Sequence, residues 1–219
     1  MQCTVCAKPA AIYQRYSGRH LCAEHLSSDI ESRAKRVIRQ QAWLVKGDKI
    51  GVFPHIPHGE ALCFFLKGLI GRRTDITLIR VEEDLPPMDG STSWYSTFTE
   101  VAKGAQVTRI ALPDTVEDIA VRNLSSLLRG DTKSLLSSTV TGLSLPWMQP
   151  FREISGAELD IYSHHHHLPI HALSLQIQNN DPRLNAVREL LAEYTRSHPS
   201  APHALRRYGD HLAGLAAEK

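Results

Sequence analysis

Several things are scarce in this sequence, and each scarcity excludes something. Only four of the 219 residues are cysteine. Three of those four come before residue 23. A disulfide scaffold spread along the chain is therefore excluded, and a cysteine cluster of this kind points to a metal instead. Charge of one sign is also lacking: 25 Lys and Arg stand against 23 Asp and Glu, a formal net charge of +2. No bulk field draws nucleic acid, so no DNA partner is expected, and any RNA contact must come from a local cluster. No apolar run approaches the length of a bilayer span, and no leader opens the chain. The expectation is a cytoplasmic protein with no membrane partner.

What is present is a substantial apolar fraction. Hydrophobic residues make up 42% of the chain, enough for one domain with a small appendage. Cys63 stands alone in an apolar run and reads as a small buried hydrophobe.

Cys3-x2-Cys6 is followed by fifteen residues and then Cys22-x2-His25. A Cys-x2-Cys knuckle puts two thiolates on one side of a metal, and a second pair at the same spacing completes a tetrahedron. Three sulfurs and one imidazole form a closed zinc set with no open position for a reacting water. The expected role is structural, and such sites can contribute about 10–16 kcal/mol of apparent binding energy to folding. The bland alternative is free thiols beside a chance histidine. His20 competes with His25 as ligand, but the matched x2 spacing favours His25.

Ser28-x-x-Glu31 reads as a capping box opening a helix. Its apolar stripe is Leu26, Ile30, Ala34, Val37, Ile38 and Ala42, and Arg33, Lys35, Arg36 and Arg39 lie on the other face. Gly47-Asp48 ends that element. Strands are expected at Lys49–Phe53, Ile76–Val81 and Val107–Leu112. Helices are expected at Glu60–Leu69, Val116–Leu128, Glu158–His165, after Asp181-Pro182, and from Ala204 to Leu215. Residues 82–100 and 132–150 read as irregular. Strands alternating with helices predict a doubly wound parallel α/β sheet, with ligands beyond the carboxyl ends of its strands.

The zinc module, the basic helix, the first strand and the Leu127-Leu128-Arg129-Gly130-Asp131 ending together resemble the PP-loop ATP pyrophosphatases that 2-thiolate tRNA, of the archaeal and eukaryotic cytoplasmic type. Pro150-Phe151-Arg152-Glu153-Ile154 is similar to that family's Pro-Leu-Arg-Glu-Ile segment. Leu168-Pro169-Ile170 and the helix after Asp181-Pro182 match its carboxyl-terminal part. The resemblance implies a PP-loop fold of the adenine nucleotide alpha hydrolase-like (HUP-like) type. It also implies a reaction in which ATP adenylylates a tRNA uridine and sulfur displaces AMP.

The active parts of that family are altered here. Its Ser-Gly-Gly-x-Asp-Ser loop holds pyrophosphate on backbone amides, and glycines let the chain approach the phosphates. The matching segment is His55-Ile56-Pro57-His58-Gly59-Glu60. Proline removes an amide donor and Glu60 repels phosphate, so poor ATP binding is expected. The family's Thr-Gly-His-Asn-x-Asp-Asp appears as Leu112-Pro113-Asp114-Thr115-Val116-Glu117-Asp118, which keeps only the acids Glu117 and Asp118. Its mid-chain Cys-x2-Cys and later cysteine are missing, as is its second zinc site, so no iron–sulfur cluster and no sulfur relay are expected.

Each sharper reading has a plainer competitor. Arg33, Lys35, Arg36 and Arg39 dock tRNA phosphates or form a solvated helix face. His55 and His58 are acid–base groups or parts of a loop that drifted after losing ATP. Glu117 and Asp118 are remnants of the active site or acids at the positive end of a helix dipole, and Arg129 suits a helix carboxyl end. His164 to His167 bind metal or solvate a helix end.

The expected organisation is a zinc module at 1–27, a basic linker helix at 28–47, a PP-loop-like domain at 48–175 and a helical part at 176–219. The expected function is that of a catalytically degenerate tRNA 2-thiolation paralogue. Its candidate partners are tRNA, an active PP-loop paralogue or a second copy of itself. The alternatives are an active adenylating enzyme with an altered nucleotide loop, and an interaction scaffold unrelated to tRNA.

Overall fold

The computed structural model describes residues 1–82, 92–132, 135, 145–169 and 182–217. The amino-terminal module is a two-stranded antiparallel hairpin, β1 (Ile12–Gln14) and β2 (Arg19–Leu21), with Tyr13 opposite His20. Helix α1 (Ala23–Gln40) leaves it directly. Four parallel strands then form the sheet: β3 (Lys49–Val52), β4 (Thr77–Arg80), β5 (Arg109–Ala111) and β6 (Trp147–Met148), in the order β4-β3-β5-β6. Helices α2 (Gly59–Ile70), α3 (Thr92–Gly104) and α4 (Val116–Arg129) lie between successive strands. Helices α5 (Gly156–His165), α6 (Pro182–Ser197) and α7 (Ala201–Ala217) follow the sheet.

Strand side chains alternate between two cores, as the period of two demands. Ile50, Val52, Ala111 and Met148 pack with α1, α2 and α5 on one face. Ile110, Leu112 and Trp147 pack with Phe98 and Ala102 of α3 on the other. Gly51 belongs to this second face, where a Cβ would lie 2.7 Å from Val107 Cγ2, so the strand needs glycine there. Fully burying a Leu, Ile or Phe is worth about 1.5–3 kcal/mol, so these two layers dominate the stability of the sheet.

The chain moves from β3 outward to β4, then back across β3 to β5. The carboxyl ends of β3 and β5 therefore flank the topological switch point, where an open α/β sheet forms its crevice. The segments opening there are 53–58 and 112–115.

Several expectations need correction. Helix α1 begins at Ala23, with Cys22 as its N-cap, so Ser28 and Glu31 are interior and form no capping box. The reversal of the chain at the cysteine knuckle starts the helix, and Glu31 instead pairs with Lys35. Ala42 lies beyond the helix end with φ of 49°. Part of the expected 82–100 loop is α3, whose Phe98, Val101 and Ala102 join the second core. Strand β6 falls in the stretch read as irregular, being too short to show a period. Ile170 and Asp181 lie outside the described residues.

Candidate metal centre and nucleotide crevice

Cys3 donates its backbone N–H to Lys8 O at 2.9 Å, which closes the first knuckle. The second pair is set by the start of α1, with Cys22 as N-cap and His25 in the first turn. The four ligand atoms converge within 4.8 Å of one another. Cys6 Sγ lies 3.8 Å from Cys22 Sγ, and His25 Nδ1 lies 3.2 Å from Cys22 Sγ and 3.6 Å from Cys3 Sγ. Burial pushes the Cys3 thiol up, but backbone bonds from Cys22, Val5 and Cys6 outweigh it and bring the thiol down to about 6. Cys6 feels a lowering bond from Lys8, yet burial and the neighbouring Cys22 and Cys3 leave its thiol raised. Thiols this crowded resist ionising together unless a cation joins them. The donor set fits a thiophilic metal, and the module is built to bind one.

The crevice is a different kind of place. The loop after β3 turns back so tightly that a Cβ on Gly59 would lie 2.1 Å from Phe53 O. Only glycine fits that close approach. Gly59 N–H donates to Ile56 O at 2.9 Å, so this amide is spent inside the loop. His58 caps α2 with φ of 57°, in the left-handed region. Its imidazole is mostly buried, and burial holds its pKa below the usual histidine range, against the pull of Asp160 and Asp118. Nδ1 of His58 stands 3.8 Å from Asp160 Oδ1.

Glu60 is charge-paired with Arg80 through two bonds of 2.8 and 2.9 Å, and His55 Nε2 lies 2.8 Å from Glu82. Glu117 faces the same crevice and accepts from Gly156 N–H at 3.2 Å. Burial raises its carboxyl pKa, against the backbone bonds that stabilise the charged form. Asp118 forms a reciprocal capping box with Thr115 at the start of α4, and Arg129 closes that helix before Gly130 at φ of 65°. The structure thus brings His58, Glu117 and Asp118 together, and gives Asp118 and Arg129 helix-end roles.

The basic helix face is not free. Arg33 is 13% exposed in its side chain and lies between Asp29, at 3.0 Å, and Glu158, at 2.6 Å. Lys35 pairs with Glu31 and Arg36 with Glu153, at 2.8 and 2.7 Å. Arg39 is exposed in the last turn. The expectation of four cations presented to phosphate is therefore revised, because α1 spends three of them on carboxylates. Glu158 is the node of this seam. Its Oε1 accepts from Gln14 at 2.5 Å, Tyr16 at 2.8 Å and Arg33 at 2.6 Å, while Oε2 caps α5 through Ser155. Burial raises the Glu158 carboxyl pKa, and Arg33, Ser155 and Tyr16 outweigh it and hold it low.

Sequence reasoning missed Glu158, since a helix-start acid gives no sign of partners 125 residues away. It took His166 only as part of the His164 to His167 run, whereas its ring lies 4.5 Å from both Phe64 and Tyr162 and its Nε2 is 2.7 Å from Ser27 Oγ. That histidine packs rather than solvating a helix end.

Comparison with known proteins adds to this geometry. The family model described as 2-thiouridine synthetase TtuA, N-terminal LIM domain, matches residues 2–27. A probable sulfurtransferase of Methanocaldococcus jannaschii is 36% identical over 88 residues, covering 31% of this chain and 25% of that protein. The tRNA 2-thiolation protein NcsA of Haloferax volcanii is 29% identical over 84 residues, covering 38% of this chain and 23% of that protein. These matches thus span about a quarter of the relatives' lengths. The solved U34-tRNA thiolase NcsA from Methanococcus maripaludis, described with its [4Fe-4S] cluster, has the same fold. Its TM-score is 0.77 at 14% identity, covering 98% of this chain and 88% of that one.

That structure overturns one expectation. The absence of an iron–sulfur cluster was inferred from missing mid-chain cysteines, yet a protein of the same fold carries one. The amino-terminal thiols are also the ligand type such clusters take. Among the described residues, no helix is long and apolar enough to cross a membrane. The amino-terminal module thus matches that of the thiouridine synthetase family model, the fold is that of the solved thiolase, and two stretches are similar to proteins described as a probable sulfurtransferase and a tRNA 2-thiolation protein.

Proposed function

We propose that this chain serves tRNA 2-thiolation as a metal-bearing, tRNA-binding partner whose own nucleotide loop has lost its hold on ATP. The observation that carries this is the loop after β3. Its Gly59 amide closes on Ile56 O, Pro54 and Pro57 offer no amides, and its carboxylate Glu60 is paired with Arg80. A phosphate cradle needs several unspent amides pointing at one place, with no carboxylate beside them. The relatives' descriptions, a sulfurtransferase and tRNA 2-thiolation proteins, support tRNA as the partner.

The metal would sit among Cys3, Cys6, Cys22 and His25. The Sγ atoms of Cys6 and Cys22 stand 3.8 Å apart, close enough to share one metal centre. Bound there, a thiophilic ion supplies charge that lets the crowded thiolates stay ionised. The residues themselves join the knuckle, the hairpin and the start of α1.

The test is calorimetric titration of the full chain with ATP and magnesium. No saturable heat is expected at millimolar ATP. Tight, magnesium-dependent binding would overturn the degenerate reading. It would favour an adenylating enzyme in which the mostly buried His58 and Glu117 do the acid–base work.

A further inference from the structure

The outer face of the amino-terminal hairpin carries an aromatic pair that neither the metal centre nor the core uses. Register and the strand period of two send Gln14 and Leu21 inward, and leave Tyr13 and His20 opposite each other on the outside. Their rings stack with centroids 4.4 Å apart and planes 20° from parallel. Tyr13 nevertheless remains 51% exposed, with one ring face turned away from its partner. A cross-strand pair explains the stack, but leaves a large aromatic face bare to water.

The charge around this face is one-sided. Residues 1–23 contain Lys8, Arg15 and Arg19 and no Asp or Glu. Lys8 and Arg19 are matched by Glu24 and Asp29 of α1. Arg15, exposed two residues after Tyr13, bonds the neutral carbonyl of Arg196 at 2.6 Å and has no carboxylate partner among the described residues. An exposed ring face beside an uncompensated guanidinium is the pairing that takes an unpaired base and its phosphate, since every base has a π-face and every linkage an anion.

We infer that Tyr13, backed by His20 and flanked by Arg15, is a stacking platform for an unpaired base of RNA. This rests on the reading of tRNA as the partner. It moves the contact from the cations of α1, three of which are spent on carboxylates, to the hairpin.

The experiment measures binding of the full chain by fluorescence anisotropy to two probes, a tRNA transcript and a short unstructured RNA oligonucleotide. Tyr13→Leu keeps an apolar side chain on the hairpin but removes the ring, and Tyr13→Phe restores the ring. The expected result is a loss of affinity of about 5- to 150-fold for Tyr13→Leu, the factor that corresponds to ~1–3 kcal/mol of stacking per base. Wild-type affinity is expected for Tyr13→Phe, with metal content and melting temperature unchanged in both variants. Equal binding by Tyr13→Leu and wild type would overturn the platform while leaving tRNA as partner. Tyr13-dependent binding of the oligonucleotide without tRNA binding would keep the platform and defeat the tRNA reading. No binding of either probe would overturn both.

Discussion

The seam between the amino-terminal module and the α/β domain contrasts with the crevice at the carboxyl ends of β3 and β5. The seam is crowded with charge, and nearly all of it is answered. Glu158 takes Gln14, Tyr16 and Arg33 on one oxygen, Arg33 also reaches Asp29, and Glu153 gathers Arg36 and Arg206. The crevice has bonds of its own, among them Arg80 to Glu60 and Arg122 to Asp114. His58 and Asp160 stand 3.8 Å apart, and Glu117 is held by the Gly156 amide. One region invests its polar groups in holding two parts together. The other keeps half-buried groups whose titration is displaced, with the imidazole lowered and the carboxyl raised. Holding a fold and preserving a pocket are therefore separable demands in this chain.

Three measurements press on that contrast. The largest effect is expected from the metal. Chelation, or Cys22→Ser, removes a contribution on the order of 10 kcal/mol to the folding of the module. Loss of bound metal should accompany loss of hairpin protection in hydrogen exchange. Elemental analysis and the visible spectrum of the native protein identify the ion. A module that stays protected after metal removal would deny it a folding role.

Glu158→Gln comes next. It leaves Arg33 buried without its nearest carboxylate, which should cost about 3–5 kcal/mol in denaturant unfolding. The folded pKa of Glu158 is lowered, so its contribution is present above the unfolded carboxylate range and is lost as pH falls through the folded value. The gap between wild type and variant should therefore close in acid. A constant gap across pH would mean that packing, not charge, explains the loss.

Gly59→Ala is expected to be smallest, about 1–3 kcal/mol, because a methyl 2.1 Å from Phe53 O forces the loop to move. If the variant is as stable as wild type, the loop is slack and its amides are free to be redirected.

Much of this was legible in the sequence for a physical reason. The metal ligands are local pairs, and local spacing survives into structure: Cys3, Cys6, Cys22 and His25 do converge. The buried stripe Leu26, Ile30, Ala34, Val37 and Ile38 followed its helical period. The alternation of strands and helices gave the sheet. What could not be read was pairing at a distance. Nothing near Arg33 in the sequence announces Glu158, so four cations looked like one docking face. Nothing near His166 announces Phe64 on another helix. Helix α3 escaped because the polar, proline-bearing stretch before it reads as loop. The altered nucleotide loop was legible as a change in composition, but the closure of Gly59 on Ile56 was not.

The start of α1 has a consequence for anyone cutting this protein. A boundary drawn after residue 27 falls inside a helix that runs to Gln40. Removing residues 1–22 would strip Gln14 and Tyr16 from Glu158 and leave that carboxylate with Arg33 and its own helix cap. The amino-terminal segment is therefore not a cassette that can be transplanted or trimmed. Truncations intended to isolate the sheet should carry it whole, and chimeras should exchange it together with α1, Glu153 and Glu158.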